Sequence, residues 1–223
     1  MTELIVFDWD GTLMDSEGRI VTCLQWAARD LGYPVPEARR AREVIGLGLH
    51  QALARLFPEA DEGGVAALAD AYRRHFLADE LAPSELFPGA RALLEALEAA
   101  GYFLAVATGK SRRGLDKELE RTGLAGRFHV TRCADETFSK PHPQMLLEIL
   151  EVTGREPHQA LVVGDTEFDM QMAANAGVPA VGVAHGVHPP ERLRQAGALT
   201  VFDALEALPG WLAEADVAAA PAS

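Results

Sequence analysis

The chain has 223 residues, of which 48% are hydrophobic and 24% charged, as in an ordinary globular protein. Its formal net charge of -13 argues against a nucleic-acid-binding surface, which would need a basic stripe. No apolar run is long enough to cross a bilayer, and the N-terminus has no signal-peptide pattern, so we expect a cytoplasmic protein with no membrane partner. Cys23 and Cys133 stand far apart and form no metal-like spacing.

The first predicted element is the uninterrupted apolar run Leu4–Phe7, which is typical of a central parallel strand buried on both faces. Asp8 and Asp10 follow it, and Gly11 permits a tight turn. The carboxyl ends of strands are where open α/β sheets bind ligands. Because two carboxylates beside an apolar core are costly unless neutralised, this segment favours a divalent cation, and oxygen ligands suit Mg²⁺. The alternative is a polar turn after a strand.

The next segment has helical rather than strand periodicity. Apolar residues recur at helical spacing over 20–31, and further helical runs cover 49–57 and 65–81. Nothing between Ser16 and Leu86 has a convincing strand pattern. The sequence therefore predicts a helical insert after the first strand.

Strand and helix patterns alternate through the rest of the chain. Predicted strands cover 102–107, 128–132, 160–163, 179–184 and 199–202, and predicted helices cover 90–100, 111–122, 143–152, 169–176 and 205–213. Such alternation predicts an α/β fold with a parallel sheet and helices on both faces.

A possible anion site follows the strand at 102–107. The hydroxyl of Thr108 and the backbone N–H of Gly109 stand between a strand and a helix, an arrangement that can cradle a phosphate. A P-loop is excluded, because Leu104 stands where that motif needs a glycine. Ser111 is expected to cap the helix, and Lys110 is expected to be a solvent or rim residue.

Two more segments place charged groups at predicted strand ends or rigid loops. Pro141 restricts Lys140 to an extended conformation, which fixes one cation in the loop 139–143. Asp165 follows the strand at 160–163, and Asp169 begins a helix, where an acid could simply interact with the helix dipole. Glu167 lies between these two acids, and we assign it no role.

The segment Asp8-Trp9-Asp10-Gly11-Thr12-Leu13-Met14-Asp15-Ser16 resembles the first motif of the haloacid dehalogenase (HAD) superfamily, in its phosphatase branch. Thr108, Lys140 and Asp165 match the second, third and fourth motifs in the right order. The resemblance is closest to phosphoglycolate phosphatase-like members. It implies a Rossmann-like core over 1–16 and 87–223 and a mobile helical cap over 17–86, with hinges near 15–19 and 81–87.

The resemblance also implies a set of site residues. Asp8 would be the nucleophile, which suits a group already ionised near neutral pH, and Asp10 the general acid and base. Thr108 and the N–H of Gly109 would hold the phosphoryl group, with Lys140 pairing with nucleophile and phosphate. Asp8, Asp165 and the backbone carbonyl of Asp10 would bind Mg²⁺, Asp169 would support the metal or the lysine, and His50 and Arg55 are candidate substrate contacts in the cap.

These features predict a Mg²⁺-dependent phosphatase acting on a small phosphorylated metabolite, 2-phosphoglycolate or a similar monoester, through an aspartyl-phosphate. A sugar phosphomutase of the β-phosphoglucomutase type and a pyrophosphatase on the same core stay open as alternatives. A haloacid dehalogenase is disfavoured by Asp10, Lys140 and Asp165, and a silent binding protein by the intact aspartates. The sequence is compatible with a monomer or a homodimer.

Overall fold

The computed structural model describes residues 1–78 and 81–219. The strands, in chain order, are β1 (Leu4–Phe7), β2 (Met14–Asp15), β3 (Glu85–Leu86), β4 (Phe103–Thr108), β5 (Val130–Cys133), β6 (Ala160–Gly164), β7 (Ala180–Val183) and β8 (Val201–Phe202). The helices are α1 (Glu17–Asp30), α2 (Ala38–Arg42), α3 (Leu49–Leu56), α4 (Glu62–Leu77), α5 (Ala90–Ala99), α6 (Arg112–Thr122), α7 (Gln144–Thr153), α8 (Glu167–Ala176), α9 (Pro190–Gln195) and α10 (Leu208–Ala219).

Six strands form one parallel sheet in the order β5-β4-β1-β6-β7-β8. Ile5 and Phe7 of β1 pack with α5, α6 and α10 on one face, whereas Leu4 and Val6 pack with α7, α8 and α9 on the other. This confirms the predicted α/β class and the predicted burial of β1 on both faces. Because β1 lies between β4 and β6, the residues that follow these three strands meet at one edge of the sheet.

Helices α1 to α4 form a helical insert with a hydrophobic cluster of its own, in which α1 packs against α4. The chain enters the insert after β2 and returns through β3, and these two strands pair antiparallel. Arg19 donates hydrogen bonds to four carbonyl groups near the return segment, those of Phe76, Ala78, Leu81 and Ala82. The prediction of no strand in this segment was therefore wrong at β3, because a strand of two residues is too short to show a period.

Helix boundaries differ from the sequence predictions by a few residues. The predicted helix 65–81 begins earlier, at Glu62, because the carboxylate of Asp61 accepts a hydrogen bond from the N–H of Gly64 at 2.8 Å. It ends at Leu77. Residues 79–80, in the predicted cap, and 220–223, in the predicted core, lie outside the described residues. Within the described ranges, no helix is both long and apolar enough to span a membrane.

Candidate active site

The centre of the site is an ion cluster in which Lys140, from the loop between β5 and α7, contacts Asp8, the residue directly after β1. Nζ of Lys140 lies 2.7 Å from Oδ1 of Asp8 and 2.6 Å from Oδ1 of Asp169. All three side chains are buried, and Lys140 is 0% exposed. Oδ1 of Asp8 also accepts a hydrogen bond from the backbone N–H of Trp9 at 2.6 Å, whereas Oδ2 has no hydrogen-bond partner among the described residues. One oxygen of Asp8 is therefore left for a ligand.

Asp165, directly after β6, is held next to this cluster. Its Oδ1 accepts a hydrogen bond from the hydroxyl of Thr12 at 2.7 Å, and its Oδ2 accepts one from the N–H of Val187 at 2.9 Å. Gly11 has a φ of 85°, and a Cβ atom at this position would collide with the Asp165 carboxylate. The glycine is thus required both by the backbone conformation and by the close approach of Asp165.

The contacts of Asp169 suit a role in orienting Lys140, one of the two supporting roles that the resemblance implied for it. Its Oδ2 accepts hydrogen bonds from the N–H of Thr166 at 3.0 Å and from the Thr166 hydroxyl at 2.6 Å, so it belongs to the capping box of α8. Its other oxygen contacts Lys140. The side chain therefore fixes the start of α8 and the lysine together.

The electrostatics of the cluster show an excess of negative charge. Burial raises the pKa of Asp8 well above its ordinary value, against the opposing effect of Lys140, and the neighbouring Asp169 and Asp165 raise it further. Burial, then Asp169, raises the pKa of Asp165 to about 7. Burial alone would lower the pKa of Lys140, but Asp169 and Asp8 outweigh it and raise that pKa. Three carboxylates face one ammonium group within this cluster.

A divalent cation fits these residues. Asp8, Asp165 and Asp169 each offer a carboxylate oxygen, and these ligand atoms all lie within 4.8 Å of one another. Oδ2 of Asp8 lacks a hydrogen-bond partner in the described part of the chain, and the pKa values of Asp8 and Asp165 are raised. A bound cation would relieve both features. An ionised carboxylate oxygen that already accepts one hydrogen bond, as in Asp165, keeps a lone pair for a metal.

The predicted anion cradle lies at the end of β4. Thr108 is 0% exposed, and its hydroxyl accepts a hydrogen bond from the N–H of Lys110 at 3.2 Å. The hydroxyl of Ser111 accepts one from the N–H of Gly114 at 3.2 Å, which confirms the predicted helix cap. A Cβ atom at Gly109 would lie 2.5 Å from the carbonyl oxygen of Leu47, so the insert reaches the cradle here.

Asp10 lies in a second network, separate from the side chains around Asp8. Its Oδ1 accepts a hydrogen bond from the hydroxyl of Ser16 at 2.5 Å and lies 3.0 Å from Nζ of Lys110. Nζ of Lys110 also lies 3.3 Å from Oε1 of Glu118, and Lys110 is 9% exposed. The prediction of Lys110 as a solvent or rim residue was wrong, because two carboxylates compensate for its burial.

A cavity of about 600 Å³ lies between core and insert, and side chains from both networks line it. Asp8, Asp10 and Thr108 line its core side, and its insert side is largely apolar. His50 of α3 lines the cavity with an exposed side chain. Arg55 is not among the lining residues, since its guanidinium lies over the ring of Phe168, 5.6 Å from the centroid.

Comparison with known proteins identifies the family. The family model described as haloacid dehalogenase-like hydrolase matches residues 5–183. The protein named "Probable phosphatase IndB" of Dickeya dadantii is 36% identical over 94% of this chain and 93% of its own length. The chain belongs to the haloacid dehalogenase-like hydrolase family.

Further relatives agree with this assignment. The phosphoglycolate phosphatase of Rhodospirillum rubrum is 35% identical over 95% of this chain and 91% of its own length. The crystal structure of a hydrolase from Pseudomonas syringae superposes with a TM-score of 0.86 at 26% identity, and the match covers 96% of this chain and 99% of that one. The HAD Rossmann-like fold predicted from the motifs is thereby confirmed.

The HAD motifs do not include several side chains that shape the site. Glu118, outside the motifs, holds the Lys110–Asp10 network together with Ser16, the last residue of the first motif segment, and nothing in the spacing of Glu118 indicated this contact. Glu167 binds Arg192, with Oε1 2.5 Å from Nη2, and Arg192 also binds Glu43 of the insert at 2.6 Å. These contacts join core and insert beside the site and depend on tertiary packing.

Proposed function

We propose that this member of the HAD family is a Mg²⁺-dependent phosphatase that hydrolyses a small phosphomonoester, 2-phosphoglycolate or a similar ester, through an aspartyl-phosphate on Asp8. The observation that carries the proposal is the buried carboxylate of Asp8 at the wall of a cavity. One of its oxygens is paired with Lys140, and the other has no hydrogen-bond partner among the described residues. Family membership and the phosphatase names of the relatives support it.

In the first step, an oxygen of Asp8 attacks the phosphorus and the bond from phosphorus to the ester oxygen breaks. The leaving oxygen takes a proton from Asp10, so the alcohol departs neutral. The ammonium group of Lys140 offsets the charge of the phosphoryl oxygens, while the Thr108 hydroxyl and the Gly109 N–H donate hydrogen bonds to them. Phosphomonoesters hydrolyse so slowly in water that these effects together must lower the barrier by about 20 kcal/mol.

In the second step, Asp10 takes a proton from a water molecule that attacks the same phosphorus. The bond between phosphorus and the Asp8 oxygen breaks, which releases inorganic phosphate and restores the Asp8 carboxylate. Asp10 ends this step protonated, as it was before the first, so the proton balance closes over one turnover.

Mg²⁺ would be held by the carboxylates of Asp8 and Asp165 and by the backbone carbonyl of Asp10, with Asp169 in support. When bound, the ion supplies positive charge that lets the phosphate approach a carboxylate. Asp169 acts on Lys140, whose position it fixes through the 2.6 Å contact.

The helical insert, 17–86, is proposed to act as a cap that opens and closes over the site. The loop 46–48 already contacts the core, since the N–H of Gly48 donates a hydrogen bond to the Ser139 hydroxyl at 2.6 Å. The chain crossings at 15–19 and 81–87 are the proposed hinges, beside the β2–β3 pair. Closure would exclude bulk water from the cavity and position the ester.

Replacing Gly109 with alanine tests this contact between cap and core. The added methyl would lie 2.5 Å from the Leu47 carbonyl oxygen, so we expect the loop to shift and kcat/KM for phosphate release to fall about 10- to 100-fold. Gly210→Ala in α10, outside the proposed cap and hinges, is the matched control, because an added Cβ there meets no atom of the described residues within 4 Å. Equal activity of Gly109→Ala and wild type would show that closure does not need this packing.

Phosphate release over a panel of esters tests the proposed reaction directly. The panel contains 2-phosphoglycolate, sugar phosphates, nucleotides and pyrophosphate, because a cavity of about 600 Å³ also has room for larger leaving groups. We expect release of inorganic phosphate in Mg²⁺, silence in EDTA and recovery when Mg²⁺ is restored. Activity that chelation does not change would contradict the metal assignment.

The same panel separates the alternatives. A sugar phosphomutase would convert one sugar phosphate isomer into another and release little free phosphate. A pyrophosphatase would act on pyrophosphate alone, and a silent binding protein would release no phosphate from any ester.

A further inference from the structure

We infer that Lys110 is a positioning residue for Asp10: it holds the Asp10 carboxylate at the cavity wall, in line to protonate the leaving group. The inference rests on the proposed phosphatase function and adds a residue outside the four motif positions. It concerns the placement of the acid rather than binding of the phosphate.

The contact between the two side chains is direct and bidentate. Nζ of Lys110 lies 3.0 Å from Oδ1 and 3.2 Å from Oδ2 of Asp10, so both oxygens face the same ammonium group. The Ser16 hydroxyl also donates a hydrogen bond to Oδ1 of Asp10, at 2.5 Å. Together these donors hold Asp10 in a network apart from Lys140, with Asp10 still lining the cavity.

Lys110 is itself fixed by three groups. Asp10 and Glu118 provide carboxylates, and Phe76 of the insert provides an aromatic ring whose centroid lies 4.4 Å from Nζ. Burial alone would lower the pKa of Lys110, but Asp10 and Glu118 outweigh it and raise that pKa above its ordinary value. The lysine is thus a fixed cation and not a mobile surface group.

Glu118 connects this lysine to the catalytic strand end. Its Oε2 accepts a hydrogen bond from Nε1 of Trp9, which lies between Asp8 and Asp10 in the chain. Glu118 is 6% exposed, so the network Trp9–Glu118–Lys110–Asp10 is buried as a unit. A change in the position of Lys110 is therefore expected to move Asp10 more than Asp8, which has its own lysine.

The experiment uses the dependence of turnover on the leaving group. An alkyl phosphate needs a proton on its leaving oxygen, whereas p-nitrophenyl phosphate releases a stable anion that does not. For Lys110→Met we expect kcat/KM, which reports the steps up to departure of the leaving group, to fall roughly 10- to 100-fold on the best alkyl phosphate of the panel and only slightly on p-nitrophenyl phosphate. Lys110→Arg is expected to recover part of the alkyl phosphatase activity, because it restores a cation.

Two further variants keep the result interpretable. Lys110→Gln retains an N–H donor for Asp10 and is measured alongside, so that a failure of the methionine variant to fold does not end the test. Lys117→Met removes a lysine of α6, the helix that follows Lys110 in the chain, whose Nζ donates to the carbonyl of Leu77 in the insert. Lys117→Met is expected to leave the rates on the alkyl phosphate and on p-nitrophenyl phosphate unchanged. It controls for the loss of a lysine contact between the core and the insert.

The outcomes separate this inference from the proposed function. An equal loss of kcat/KM on both substrates would overturn the positioning role and indicate that Lys110 binds substrate or supports the fold. A wild-type protein that releases no phosphate from either ester would instead overturn the phosphatase itself.

Discussion

Asp8→Asn is expected to lower the rate of phosphate release by roughly 10⁴-fold or more, the loss typical of a missing nucleophile. An amide is uncharged and cannot form the aspartyl-phosphate, while its shape matches that of the carboxylate. Its oxygen can keep the contact to Nζ of Lys140, which is 2.7 Å long in the structure. The rate is measured as single-turnover and steady-state phosphate release in Mg²⁺.

The stability of this variant provides its own check on folding. Burial raises the pKa of Asp8 in the folded protein above its value in the unfolded chain. The protonated side chain therefore contributes stability below the ordinary carboxyl pKa, and this contribution is lost as the pH rises through the pKa of the folded state. Because burial disfavours the charged form of Asp8 in the apo protein, Asp8→Asn should unfold at an equal or higher temperature in EDTA. Asp15→Asn, an exposed acid in the same motif, is the matched control and should retain activity. Near-normal turnover of Asp8→Asn would remove Asp8 as the nucleophile.

The sheet and its strand-end residues could be predicted because their signals are local. The run Leu4–Phe7 is apolar at every position, which only a strand buried on both faces explains well, and the structure has the same bounds. Parallel strands carry their following residues to one edge, so Asp8 and Asp165 had to be neighbours once β1 and β6 paired. Periodicity predicted that both acids follow buried strands, and the resemblance to the HAD motifs implied that they share one site.

The second network could not be predicted because its partners come from distant positions. Lys110 and Asp10 are 100 residues apart, and a lysine at the start of a helix usually faces solvent. It is buried only because Glu118 and Asp10 converge on it, and neither acid shows this in its neighbours along the chain. The same holds for Arg192, whose bridge to Glu43 depends on where the insert packs on the core.

Lys140→Met is expected to destabilise the protein and to abolish turnover. The substitution leaves Asp8 and Asp169 buried without their shared cation, and removal of one partner of a buried ion pair costs about 3–5 kcal/mol. Urea unfolding in EDTA near pH 7 measures the loss of stability, and phosphate release in Mg²⁺ measures the loss of activity. Lys117→Met, at an exposed lysine, should change the free energy of unfolding by no more than about 0.5 kcal/mol.

A double substitution separates the two roles of Lys140. Lys140→Met with Asp169→Asn removes one uncompensated carboxylate together with the cation, so part of the lost stability should return. Activity should not return, because Asp8 and the phosphate would still lack the ammonium group that lies 2.7 Å from Oδ1 of Asp8. If the double variant regained both stability and turnover, Lys140 would serve only to balance Asp169, and the charge that offsets the phosphate would have to come from another group in the cavity.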